Sequence, residues 1–328
     1  MLSSKLVNHY CFDQARALNS DEERCLRELE GRLRTILPDL YRDCYEDVQP
    51  VSMGSAGLKF GGDGKVAWNE MWESFCDLAM AGGPPHKGML LEPGSSEEIE
   101  AQPKRYSAVV EEICRGIRMV SEFAVERSAC SGWVRVDCDS RAAAEWLIRA
   151  NVMENISARW EGTSVELPAG PGYRLEKEIK NVITSIAKTS HYWLDHLWAS
   201  QQKEIGELFL SMAKEHPLIQ PGSPRHPSLQ DQDVALGEAT FKAIGVMRSA
   251  HSYAGWLGLT CPSVGAAVWT MRGLVASNVL ARREGTALFI PVNPELDPGG
   301  DIVMNALTRM HRFATATNRW PGSKNPAL

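Results

Sequence analysis

The sequence predicts an α+β fold that is internally duplicated, each half made of helices followed by a β-α-β-β unit, with a helical N-terminal lead-in and a C-terminal closing helix. Two observations carry this. Residues 132–168, moved by 123 positions without a gap, land on residues 255–291 with 16 of 37 positions identical, where unrelated sequence gives roughly two. Each copy also runs from an alternating apolar stretch to a serine, a helix-period stretch and two short runs around Gly-Thr, the pattern of strand, capped helix and hairpin. The boundaries expected are a lead-in and hairpin in 1–68, a first half in 69–172, a second in 173–294, and a closing helix with a loose tail in 295–328.

Asn19 and Ser20 stand before an apolar period at Cys25, Leu29, Leu33 and Ile36 or Leu37, which predicts a first helix with Glu23 closing a capping box and Pro38 ending it. Runs at 58–60 and 65–68 flank Gly61-Gly62-Asp63-Gly64. They read as a hairpin, because no Gly-Lys-Ser/Thr follows and no helix opens on the glycines, as a phosphate loop requires. A helix from Asn69, with Trp72, Phe75 and Leu78 or Ala79 inward, stops at Gly82-Gly83-Pro84-Pro85. Residues 92–104 read as a polar, mobile loop, and a helix over 106–123 leads into the repeat.

The first copy is expected to fold as a strand at 133–138, a helix at 140–155 with Ser140 as N-cap, and hairpin strands at 157–161 and 164–167. Helices over 175–200, 202–215 and 233–249, with a proline-rich loop at 217–227, precede the second copy. A helix over 300–314 closes the fold and 315–328 forms the tail.

Bulk properties narrow the function. A net charge of −6 disfavours nucleic acid as the main partner, since phosphate binding needs clustered Lys and Arg. The longest apolar runs fall far short of the roughly 20 residues of a bilayer span. His9, Asp13 and Arg16 stand where a signal peptide would need an apolar core. The eight cysteines are scattered and form no Cys-x-x-Cys pair, so reduced thiols and a cytoplasmic location are expected. Cys138 and Cys261, equivalent in the two copies, read as small buried apolar residues. No cofactor motif is present, and without a His-x-x-x-His pair no metal is assigned.

Comparison of the copies separates packing from candidate chemistry. Trp133, Ala143, Ala144, Val152 and Ala158 with their partners are core types. Asn155 and Asn278 fall where the helix must end and suit a left-handed cap. Arg149/Arg272, Arg159/Arg282 and Glu161/Glu284 are the retained charges. A two-residue turn puts Glu166 opposite Arg159, an ordinary cross-strand pair, but puts Phe289 opposite Arg282. Arg149 and Arg272 follow Trp146 and Trp269 by three residues, so guanidinium over indole is one explanation; bidentate binding of a carboxylate or phosphate is the other.

Histidines supply the titratable candidates. His86 follows a rigid Gly-Gly-Pro-Pro turn and is followed by Lys87. His191 precedes Asp195 by four residues on a predicted helix, where the two share a face and can hydrogen-bond.

Two functions fit. The first is a cytosolic enzyme of small-molecule metabolism acting on an anionic substrate in a cleft between pseudo-symmetric halves. Its general acid/base residues would be His86, His191 and Asp195, and Arg149, Arg272, Arg159, Arg282 and Lys87 would bind the substrate. The second is a non-catalytic ligand-binding or assembly protein whose duplicated unit mimics a homodimer. Either is compatible with a homo-oligomer.

Overall fold

A computed structural model describes residues 17–37, 57–70, 79–81 and 87–320. The fold is mixed helix and sheet, α+β as expected. By its internal contacts the chain forms two units. The larger holds Leu33–Pro217 and Ala281–Gly285; the smaller holds the chain up to Arg32, Leu218–Leu280 and Thr286–Leu328. Helix α1 (Ser20–Ile36) runs through the boundary at Arg32 and buries Leu29, Leu33 and Ile36. Its capping box closes one residue earlier than predicted. Asn19 Oδ1 accepts from the Glu22 amide at 2.9 Å and Glu22 Oε2 from the Asn19 amide at 2.8 Å, because Asn19 is the cap and Glu22 therefore stands at the third helical position.

In the larger unit the sheet order is β1 (Ala124–Arg127), β2 (Trp133–Asp137), β4 (Ser164–Pro168), β3 (Arg159–Glu161), antiparallel throughout. Gly162, at φ 61°, makes the tight turn that sets Arg159 opposite Glu166. Strand β1 was not anticipated, since only Val125 of its four residues is buried and the alternation is too short to see. Helix α3 (Pro103–Val120) buries Val109, Val110, Ile113 and Ile117. Helix α4 (Arg141–Met153) starts where Ser140 Oγ accepts from the Ala143 amide at 3.1 Å, and from Ala143 to Met153 it is buried on every side. It packs against α5 (Lys180–His191) and α6 (Ala199–Glu215), which explains its lack of a polar face.

Three local expectations change here. The segment read as a loop at 92–104 contains α2 (Ser96–Ala101), with a Ser95/Glu98 capping box, and the first residues of α3. The hairpin at 58–68 keeps only one bridge, Phe60 to Val66, and then tightens into a 3₁₀ turn, Trp68–Glu70, whose buried indole Nε1 donates to Glu112 at 2.8 Å. The helix expected over 175–200 is broken by two π turns, Leu175–Ile179 and Tyr192–His196, one on each side of α5.

In the smaller unit, α7 (Leu229–Ile244) ends at Gly245, which takes the left-handed conformation at φ 69°. The residues beyond it, expected to continue the helix to 249, instead bridge Arg248 to Leu259. Strand β5 (Trp256–Thr260) pairs antiparallel with β7 (Ala287–Pro291). Between them lie α8 (Val264–Val275), capped by Ser263 Oγ, and β6 (Arg282–Glu284), whose residues group with the larger unit. Helix α9 (Asp301–Ala316) packs on α7 and α8.

The same hydrogen-bond scheme occurs in each unit. Leu91 donates to the Asn155 carbonyl and accepts from Ser157, and Gly94 donates to Ala169; likewise Ile219 donates to Asn278 and accepts from Leu280, and Gly222 donates to Val292. Asn155 and Asn278 both sit at φ 60°. Gly132 and Gly255 have positive φ, and a Cβ on either would lie 3.0–3.1 Å from the carbonyl oxygen of Gly94 or Gly222, so only glycine fits at this crossing. The crossing segments share Pro-Gly-Ser, at 93–95 and 221–223. That likeness lies outside the gapless 37-residue match at offset 123, because its own offset is 128.

Candidate functional site

Several buried polar groups of the larger unit lie around the end of α4. The chain turns there through Asn155, whose left-handed backbone releases the side chain from the helix. Asn155 Nδ2 donates to the carbonyls of Lys87 at 2.9 Å and Arg283 at 2.8 Å, while Oδ1 accepts from Arg282 Nη1 at 3.1 Å. Arg282 is fully buried and also meets Glu284 Oε1 at 2.7 Å. The same carboxylate oxygen accepts from the Leu90 amide at 3.1 Å. Burial raises the Glu92 carboxyl above the ordinary carboxylate range, and the Arg282 charge opposes that rise.

Glu154, the neighbour of Asn155, is buried with Lys188 of α5. Its Oε1 accepts from Lys188 Nζ at 3.1 Å and from the Ala79 amide at 2.8 Å. Asn151, one turn earlier on α4, accepts from Ser185 Oγ at 2.7 Å and donates to Thr189 Oγ1 at 3.2 Å. These paired groups make burial of charge tolerable, since a buried ion without its partner is strongly destabilising.

His191 stands three residues beyond Lys188, on the neighbouring turn of α5. Its Nδ1 lies 2.7 Å from Asp195 Oδ2 and its Nε2 lies 3.1 Å from His196 Nε2. Both contacts are hydrogen bonds when Nδ1–H of His191 donates to the carboxylate and one proton lies between the two Nε2 atoms. The π turn Tyr192–His196 is what makes this possible, because it brings residues five apart into register where an α-helix would align those four apart. Tyr192 stacks on the His196 ring at 4.7 Å and fixes its plane. The His191 side chain is 41% exposed and Asp195 64%, so the cluster opens to solvent.

The structure thus brings His191 to Asp195, and Lys87 and Arg282 to Asn155. Arg149 lies elsewhere in the same unit, fully buried, donating to the Glu145 carbonyl at 2.6 Å with its guanidinium 3.9 Å over the Phe209 ring. Burial lowers its pKa to about 10, against the pull of Glu145. Arg159 lies 4.1 Å over the Trp133 ring at an exposed position opposite Glu166. Arg272 is buried in the smaller unit. His86 falls outside the described residues.

Asn155, Glu92, Lys188 with Glu154, and His196 were not anticipated. Asn155 was read only as a cap, and His196 is invisible to a helical period. Among the described residues no group of three or more His, Cys, Asp or Glu side chains is placed to hold a metal ion. No helix among them is long and apolar enough to cross a membrane. Cys138 and Cys261 are free and buried, and burial pushes both thiols up to about 12, which makes them poor nucleophiles. No family model matches the chain, nor does any curated protein or solved structure.

Proposed function

We propose that this protein is an enzyme of small-molecule metabolism that takes an anionic substrate in its larger unit and moves a proton by histidine acid/base chemistry. The observation that carries this reading is the double use of Asn155, which ties the Lys87 carbonyl and the Arg282 guanidinium to one side chain. That junction sets the loop following His86 beside a repeated arginine. Glu92 and Glu284 border the same arginine, and a buried carboxyl raised above its ordinary range beside a specific charge partner, as Glu92 is, is what an active site collects. His191, held by Asp195 one turn of α5 beyond Lys188, is the base of the second cluster.

We further infer that the segments 132–168 and 255–291 descend from one duplicated β-α-β-β unit, with the Pro-Gly-Ser crossing segments as part of it. The assembly reading draws on a different fact. Arg282 and Glu284 belong to the second segment in sequence but group with the larger unit, as charges that hold two halves together would.

A thermal-shift screen of mono- and dicarboxylates and phosphate esters tests the enzyme reading. An anionic ligand is expected to raise Tm by an amount that Lys87→Gln reduces. His86→Gln and His191→Gln are expected to leave Tm within about 2 °C while lowering turnover of that compound by about 10²-fold or more. Intact turnover in both histidine variants would remove the histidines from the chemistry, and no turnover of any stabilising ligand by the wild type would favour the assembly reading.

A further inference from the structure

The larger unit carries a cleft of about 280 Å³ between the 57–67 turn region, α3 and the π turn Leu175–Ile179. This is near the small end of ligand sites, about 300–1,000 Å³. Its apolar lining includes Phe60, Val66, Val109 and Ile179, and its charged lining among the described residues is Lys65, Arg105 and Glu112. Glu112 is already taken by Arg115, at 2.6 and 2.9 Å, and by the Trp68 indole at 2.8 Å. Among the described residues Lys65 and Arg105 pair with no carboxylate, and the Arg105 side chain donates to the Tyr173 carbonyl at 2.9 Å. Phe60 leaves 59% of its surface in water at the same cleft.

We propose that this cleft binds a small amphipathic carboxylate, an aryl or branched-alkyl acid, with Lys65 and Arg105 supplying positive charge and Phe60 covering the apolar body. Apolar walls exclude water from the body of the ligand, and two cations without carboxylate partners among the described residues fix its charged end. The inference does not depend on the site at Asn155, whose residues are different.

Calorimetric titration of the full-length protein with 3-phenylpropionate tests it. Saturable 1:1 binding with Kd of about 1 mM or tighter is expected. Acetate, lacking the apolar body, and 3-phenylpropionamide, lacking the charge, should each bind at least about tenfold more weakly. Lys65→Gln should weaken the acid at least about fivefold, because it removes one of the two cations at the cleft. Ala108→Trp, at an exposed position of α3 that lines the cleft, should fill the space and abolish binding with Tm unchanged. Absence of saturation for the wild type, equal binding of acid and amide, or undiminished binding by Ala108→Trp would each overturn the proposal.

Discussion

Asn155 shows why one residue type serves where near relatives would not. At φ 60° the backbone favours Gly or Asn, and of these only Asn adds an amide that donates twice and accepts once, as its bonds to Lys87, Arg283 and Arg282 require. The cap was readable from position alone; the binding role was not, because its partners come from 68 and 127–128 residues away. His311 of α9 is a second case in which surroundings decide chemistry. It is buried against Trp320, and burial lowers its pKa to about 4. The unfolded chain takes up this proton below about pH 6.5 and the folded chain only below about pH 4. Stability therefore falls as pH drops through that window, by up to about 3 kcal/mol from this group. His311→Gln should flatten the difference between urea midpoints measured at pH 7 and pH 4.5.

At the scale of elements, what proved legible was whatever rests on local chemistry. Ser140 and Ser263 cap α4 and α8 as read, each oxygen accepting at 3.1 Å from the amide three residues on. The hairpin turns fall on Gly162 and Gly285, both at positive φ. The Ser95/Glu98 capping box that opens α2 was equally local, and was missed because the segment's polar composition outweighed it. The π turns around α5 could not be found, since an apolar period of 3.6 continues through them without a break in sequence. Replacing Ser263 by Ala is expected to cost about 1 kcal/mol, seen as a lower urea midpoint with an unchanged slope. Ser140→Ala should cost a similar amount, because the capping geometry is the same.

At the scale of the whole molecule, the two units are interleaved along the chain. The chain completes most of the larger unit by Pro217, builds much of the smaller one, and then contributes Ala281–Gly285 to the larger. A fragment ending at Pro217 lacks Arg282 and Arg283, and so leaves the Asn155 amide short of two of its three partners. That fragment is expected to melt lower than the full chain, by several degrees for a loss of about 1–3 kcal/mol, in a thermal scan monitored by circular dichroism. The same interleaving sets a clock on biosynthesis. At roughly 5–20 residues per second, a ribosome that has finished Pro217 needs on the order of ten seconds more before Gly285 emerges. For that interval the nascent chain holds an unfinished unit, a window in which chaperone engagement and translation pauses bear on yield.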